Sequence, residues 1–129
     1  MADKDKKQLV TEVPFWWHTI DLGNGVLTPG QTPMWAQEIR AEAIPKDLAG
    51  KTVLDIGCWD GFFAFECEKR GGRVLAIDNE QYGDFIQRKY GVSPGARRGY
   101  EVAKEALDSK VEFRKQDFSA FFNCLFDHI

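Results

Sequence analysis

The stretch VLDIGCWDG at residues 53–61 decides the fold that the sequence predicts. Residues 52–56 are β-branched or apolar apart from one aspartate, which is the pattern of a short strand buried on both faces. A turn that contains Gly57 and Gly61 follows, and residues 61–70 then have the composition of a helix closed by a pair of glycines. A strand that passes through a glycine turn directly into a helix is typical of a βαβ unit.

Strands and helices continue to alternate downstream of this turn. The pattern predicts strands over residues 73–77 and 110–115 and a helix over residues 96–107, with an irregular or partly helical insertion at residues 79–95 as a candidate lid. Alternation on this scale implies right-handed crossovers and a parallel sheet. Residues 126–129 resemble the opening of a fourth strand. The predicted fold class is therefore α/β, a Rossmann-like parallel sheet with flanking helices that is truncated after the start of the fourth strand.

Three segments make up the predicted domain organisation. Residues 1–12 are expected to be a flexible tail, because the N-terminus is charged and lacks an apolar core. Residues 13–47 are expected to form an aromatic lead-in with an N-terminal helix. Residues 48–129 are expected to form half of a Rossmann-like domain.

Two local signals lie within the lead-in. Asn24-Gly25 favours the turn of a short hairpin. Thr32 is the expected N-cap of the helix and Pro33 its first residue, and the proline that follows Ile44 is expected to end it there.

The composition is that of an ordinary globular protein. Of the 129 residues, 43% are hydrophobic and 29% are charged, which excludes disorder for most of the chain. The net charge of -3 argues against a surface built as a whole for nucleic acid, although residues 85–116 carry 8 basic and 4 acidic side chains. That basic block either meets a phosphate backbone or phosphorylated substrate, or it is a solvated helix face.

The three cysteines include no C-x-x-C pair and are odd in number, so neither a metal site nor a disulfide framework is predicted. Such cysteine usage fits a reducing compartment, and the charged N-terminus is no signal peptide. No run of residues approaches the length of a membrane span. The expected location is the cytoplasm, with no membrane partner.

Three acidic residues are expected at the ends of three consecutive strands. Asp55 lies two residues before Gly57 and suits a positively charged group, such as the ammonium of a methionine moiety, better than a pyrophosphate. Asp78 follows 23 positions later, where a carboxylate can take both hydroxyls of a ribose. Asp117 can accept from an adenine amino group while the ring of Phe118 packs on the base. Each aspartate alone is also typical of a turn or a helix N-cap, but the three in this order favour S-adenosylmethionine.

Four stretches of the sequence carry a resemblance to a known family. They are WWHTIDL at residues 16–22 with Thr28-Pro29-Gly30, LAGK at 48–51, DIGCWDGFFAF at 55–65 and AKEAL at 103–107. Over residues 48–129 the chain resembles the class I S-adenosylmethionine-dependent methyltransferases. More narrowly, it resembles the branch that includes the tRNA wobble-uridine methyl- and carboxymethyltransferases.

The resemblance implies S-adenosylmethionine as cofactor, S-adenosylhomocysteine as product, and tRNA or a small molecule as methyl acceptor. The ordinary cofactor is expected instead of its carboxylated form, because the basic and tyrosine residues that hold the extra carboxylate in the family find no match here. Residues 126–129 match the start of the strand that precedes the family's acceptor-site loop. The predicted cofactor contacts are Asp55, Gly57, Cys58, Trp59, Gly61, Asp78, Asn79, Asp117 and Phe118.

The aromatic lead-in leaves two interpretations open. In one, Trp16 and Trp17 form a hydrophobic flap over the sheet edge and His18 bonds to a backbone carbonyl. In the other, these side chains cover the cofactor or the acceptor and exclude water, and His18 acts as general base.

A parallel sheet that ends at its fourth strand has an unpaired edge, so a homo-oligomer or a domain-swapped dimer is expected. One alternative is a non-catalytic half-domain that completes a partner. Another is an NAD-binding Rossmann protein, which the Gly57-x-x-x-Gly61 spacing disfavours because the dinucleotide fingerprint is G-x-G-x-x-G.

Overall fold

The predicted glycine turn lies between a strand and a helix in the computed structural model of the chain, which describes residues 3–93 and 97–117. The elements in these ranges, in chain order, are α1 Asp3–Glu12, α2 Met34–Ala41, β1 Thr52–Ile56, α3 Phe62–Lys69, β2 Arg73–Asp78, α4 Gly83–Tyr90, α5 Arg98–Ala106 and β3 Glu112–Lys115. The predicted fourth strand lies outside the described residues. None of the five described helices has the length and hydropathy needed to cross a bilayer.

The three strands form one parallel sheet in the order β1-β2-β3. Thr52 pairs with Arg73 at the start of the first ladder, and Asp78 pairs with Lys115 at the end of the second. The α/β class and the parallel sheet are thus confirmed, and the arrangement is consistent with a Rossmann-like partial fold. Because all strands run the same way, their carboxyl ends lie along one edge of the sheet, where ligands bind in open α/β sheets.

The first strand differs from the prediction that it is buried on both faces. Leu54 is 51% exposed and Ile56 is 37% exposed, whereas Val53 and Asp55 are half-buried. The cause is that α3 packs on only one face of the sheet. Within the described ranges the other face of β1 is therefore apolar and open, a burial pattern that composition alone does not reveal.

Residues 3–12, which were predicted to belong to a flexible tail, form α1, which packs on α5. Val10 is 7% exposed, and the indole N–H of Trp16 donates to its carbonyl oxygen at 3.1 Å. The ammonium of Lys6 donates to the carbonyl oxygen of Leu22 at 2.7 Å. Because α1 contains few apolar residues, its charged sequence does not predict the tertiary contacts that hold it in place.

The start and the end of the lead-in helix also differ from the sequence prediction. Pro33 is the N-cap residue with extended backbone, and no side chain caps α2. Thr32 instead forms a parallel bridge with His18, which takes it away from the predicted capping position. The helix ends at Ala41, and Ile44 lies in the turn that follows.

Two further local predictions are confirmed. The turn at Asn24-Gly25 joins Asp21 and Leu27 in an antiparallel bridge, and both turn residues have positive φ. The insertion predicted over residues 79–95 to be irregular or partly helical contains α4 in its described part, residues 79–93, and its lid role stays a prediction.

Candidate functional site at the carboxyl edge of the sheet

The glycine turn is fastened to the second strand by its own backbone. The N–H groups of Gly57 and Cys58 both donate to the carbonyl oxygen of Ile77, at 2.8 and 3.2 Å. The φ angles of Gly57, Trp59 and Gly61 are +75°, +50° and +97°, so the turn uses the left-handed region three times. Trp59 is the one of these three with a side chain, and that conformation is unfavourable for it.

Asp55 lies under the first turn of α3. The backbone N–H of Ala64 bonds to its carboxylate, while the second oxygen, Oδ2, is buried without a hydrogen-bond partner among the described residues. Burial, followed by the negative charge of Asp78, raises the pKa of this carboxyl to about 6, and the Ala64 N–H opposes the rise. Asp55 therefore presents an unused acceptor beside the positive end of a helix.

Asp78 ties the glycine turn to the next loop. Its side chain is 3% exposed; Oδ2 accepts from the N–H of Trp59 and Oδ1 from the N–H of Glu80, both at 2.9 Å. Each oxygen thus already holds one backbone donor. Since a carboxylate oxygen has two lone pairs, each can accept one more.

The remaining predicted cofactor contacts differ in position. Asn79 accepts the N–H of Gln81 at 3.1 Å, which is the geometry of a local turn. Asp117 is exposed, one residue after Gln116, whose N–H extends the ladder to the carbonyl oxygen of Asp78 at 3.0 Å. The structure therefore brings Asp55, Asp78 and the glycine turn together and places Asp117 along the same edge. Phe118 lies outside the described residues.

Cys58 is packed inside the turn and is 2% exposed. Burial, followed by the charge of Asp55, raises the pKa of its thiol. The neutral thiol acts here as a small apolar group, and its backbone supplies the contact to β2.

Asp60 was missed by the sequence reasoning. It is 8% exposed, and its Oδ2 accepts the N–H groups of Trp17 at 2.6 Å and His18 at 2.8 Å. Burial raises the pKa of Asp60 to about 6, and the two N–H donors oppose the rise. The acid sits inside the glycine turn, but no local pattern shows that its partners lie more than forty residues upstream.

Three aromatic rings lie over the turn as a continuous stack. Trp59 is stacked on Trp17 with ring centroids 4.7 Å apart and on Tyr82 with centroids 4.0 Å apart, both at 22° between planes. We call Trp17, Trp59 and Tyr82 the aromatic stack. Tyr82 comes from the insertion predicted as a candidate lid, but its stacking on Trp59 was missed, because sequence patterns do not position that insertion.

The other lead-in residues have fixed places. Trp16 is 2% exposed and belongs to the hydrophobic core, and its place over the ligand stays a prediction. His18 is 5% exposed, and its Nδ1 accepts the N–H of Phe62, the first residue of α3, at 3.4 Å. Burial, with a smaller effect of the Arg40 charge, lowers the pKa of His18 to about 4. The ring is neutral at pH 7 and accepts a hydrogen bond from the first residue of α3. The general-base role stays a prediction.

A groove of about 460 Å³ lies between α2 and α3, away from this edge. Its apolar lining includes Met34, Phe62, Phe65 and Leu107, and none of the predicted cofactor contacts line it. No group of three or more potential metal ligands occurs within residues 3–93 and 97–117.

No protein-family model matches this chain, and no curated protein matches it. The candidate site therefore stands on its own geometry.

Proposed function

We propose that this chain is the cofactor-binding portion of an S-adenosylmethionine-dependent methyltransferase. The observation that carries the proposal is the buried Oδ2 of Asp55, which has no hydrogen-bond partner among residues 3–93 and 97–117 and lies beside a glycine turn at the end of β1. A buried acceptor without a donor is costly, and a ligand ammonium would supply both the donor and the opposite charge. A phosphate group would instead be repelled by Asp55 and Asp78.

The ribose of the cofactor would bind at Asp78 through the lone pairs that the backbone N–H groups leave unused. Because Asp78 is 3% exposed, this contact requires the residues above it to move. Asp117 and Phe118 are proposed to hold the adenine. Asn79 and the backbone of Cys58 and Trp59 would supply further contacts to the cofactor along this edge of the sheet.

S-adenosylmethionine supplies a methyl group that its sulfonium already activates, for in-line displacement by an oxygen, nitrogen or carbon of the acceptor. The residues of this chain would therefore bind and orient the cofactor and exclude water. The acceptor is proposed to be tRNA or a small molecule, and the expected product is S-adenosylhomocysteine. The two described cysteines, Cys58 and Cys67, are free thiols, which suits a cytoplasmic location.

A second candidate is a non-catalytic domain that binds S-adenosylmethionine or S-adenosylhomocysteine and completes a partner or a second copy of itself. The open apolar face of β1, with Leu54 and Ile56 exposed, favours it. Transfer of label from the cofactor to a tRNA or metabolite pool separates the two candidates. Tight cofactor binding without any transfer supports the binding domain.

Calorimetric titration with S-adenosylhomocysteine, S-adenosylmethionine and NAD tests the shared part of both candidates. We expect the first two to bind and NAD not to bind. Binding of NAD without binding of S-adenosylhomocysteine overturns the proposal.

Replacing Asp55 by asparagine is expected to weaken S-adenosylhomocysteine binding roughly tenfold to a hundredfold. The physical reason is loss of a charge-assisted hydrogen bond, worth about 1.5–3 kcal/mol. Asp47→Asn is the matched control, since Asp47 is exposed and only accepts the N–H of Ala49. Unchanged affinity in Asp55→Asn with a changed melting temperature would assign Asp55 to the N-terminus of α3 alone.

A further inference from the structure

One carboxylate holds the lead-in segment against the glycine turn. A single oxygen of Asp60 accepts two successive backbone N–H groups, those of Trp17 and His18, at 2.6 and 2.8 Å. Bonds to an ionised acceptor are stronger than neutral ones, and burial excludes the water that would compete for the donors. This contact fixes the backbone of the lead-in where it crosses the turn.

The residue anchored by Asp60 is also the outer member of the aromatic stack. The backbone N–H of Trp17 bonds to Asp60, and its ring lies 4.7 Å from the ring of Trp59. The α-carbon that bears the Trp17 side chain is bonded directly to the backbone nitrogen that Asp60 holds. The position of that ring therefore depends on Asp60.

The stack lies close to the buried carboxylates. Trp59 donates its N–H to Asp78. Burial raises the pKa of the Tyr82 hydroxyl, and so do the charges of Asp78 and Asp60, in that order. Asp78 itself is 3% exposed, so the residue that bears the central ring of the stack is bonded to a buried carboxylate.

The third element at Asp60 is α5, where Gly99 leaves space for the carboxylate. A β-carbon at Gly99 would lie 2.5 Å from Oδ1 of Asp60 and 3.2 Å from the ring of Trp16. The absence of a side chain on Gly99 thus keeps Asp60 in the position from which it reaches Trp17.

We propose that Asp60 is a positioning residue that keeps Trp17 stacked on Trp59 and thereby closes the carboxyl edge above Asp78. As far as a ligand is concerned, this inference rests on the proposed cofactor function. We call the contact of Asp60 with the backbone N–H groups of Trp17 and His18 the clamp, and it is present in the ligand-free chain. Asp60 acts through Trp17 and touches no ligand.

Circular dichroism of the ligand-free protein tests the clamp, because two indole rings stacked this closely give an exciton couplet. We expect Asp60→Ala to abolish the couplet and Asp60→Asn to keep it, since an amide oxygen still accepts two N–H groups. Trp17→Phe should remove the couplet and so identify its source. Trp35→Phe is the matched control, because Trp35 is 66% exposed on α2, and it should leave the couplet unchanged.

Gly99→Ala tests the same contact from the opposite side. Alanine favours a helix over glycine, so a merely local effect would stabilise α5 and leave the couplet intact. We expect the couplet to weaken because the new methyl group displaces Asp60. An intact couplet in Gly99→Ala, or in a folded Asp60→Ala with only a lower melting temperature, overturns the inference. If Asp60→Ala does not fold, Gly99→Ala alone decides, and an intact couplet in that variant overturns the inference.

Stopped-flow mixing with S-adenosylhomocysteine tests the effect on the site. We expect Asp60→Ala to release it about tenfold faster than the unsubstituted protein, which corresponds to about 1.4 kcal/mol. An unchanged release rate overturns the closing role of Trp17. If S-adenosylhomocysteine fails to bind the unsubstituted chain, the proposed function fails while the couplet still decides whether the clamp exists.

Discussion

Replacing Gly61 by alanine is expected to destabilise the protein by about 3 kcal/mol, as the sum of backbone strain and overpacking. The φ angle of Gly61 is +97°, which residues with a side chain rarely adopt. A β-carbon there would lie 2.7 Å from the ring of Phe65 and 3.0 Å from the ring of Tyr100. These two rings are 5% and 2% exposed and lie 5.7 Å apart in a stack, so neither can move aside without opening the core.

The unfolding free energy in urea, compared between variants, measures this effect. Gly50→Ala is the matched control: Gly50 has a φ of +73° but nothing within 4 Å of a β-carbon. It should lose only the strain, about 1–2 kcal/mol. Equal losses in the two variants would show that packing against Phe65 and Tyr100 adds nothing.

The stability of the protein is expected to fall as the pH rises from about 4.5 to 6, by about 1–2 kcal/mol, through a net difference of one proton. Burial raises the pKa of Asp55 and Asp60 from 3.8 to about 6. Stability from these two groups is fully present below pH 3.8 and is lost as the pH rises through about 6. His18 acts in the opposite direction: its pKa falls from 6.5 to about 4, so its contribution is lost as the pH falls through about 4.

Single variants separate the three contributions to this profile. Asp60→Asn removes one of the two groups that lower the stability as the pH rises. The effects of Asp55 and His18 then nearly cancel, and the stability should hardly change with pH. His18→Gln removes the opposing contribution and should steepen the fall to about two protons. Thermal or urea unfolding across this pH range gives the slopes, and a profile that rises with pH in the unsubstituted protein would contradict the assignment.

Much of the sheet and its edge follows from local sequence. The bounds of β1 were predicted at Thr52–Ile56 and observed there, because an apolar run between a lysine and a glycine turn is a local signal. Parallel pairing of β1 and β2 places Asp55 and Asp78 at one edge, since the helix α3 must return the chain to the same side. The proximity of these two acids was predictable for that reason.

The contacts that complete the site were not predictable, because they join segments far apart in sequence. Asp60 bonds to Trp17, and Trp59 stacks on Tyr82, without any pattern that links the partners. Thr32 has the residue type of an N-cap, yet its carbonyl oxygen accepts the hydroxyl of Thr19 and its backbone pairs with His18. In each case a tertiary contact decides the role of a residue whose local preference allows several.

The bond pattern of Asp78 has a mechanical consequence. Two crossover loops, one beginning after β1 and the other after β2, are joined at a single side chain through the N–H groups of Trp59 and Glu80. Neither loop can swing outward alone without breaking a buried bond to an acid. The amide hydrogens of Trp59 and Glu80 would therefore exchange with solvent only when these bonds to Asp78 open.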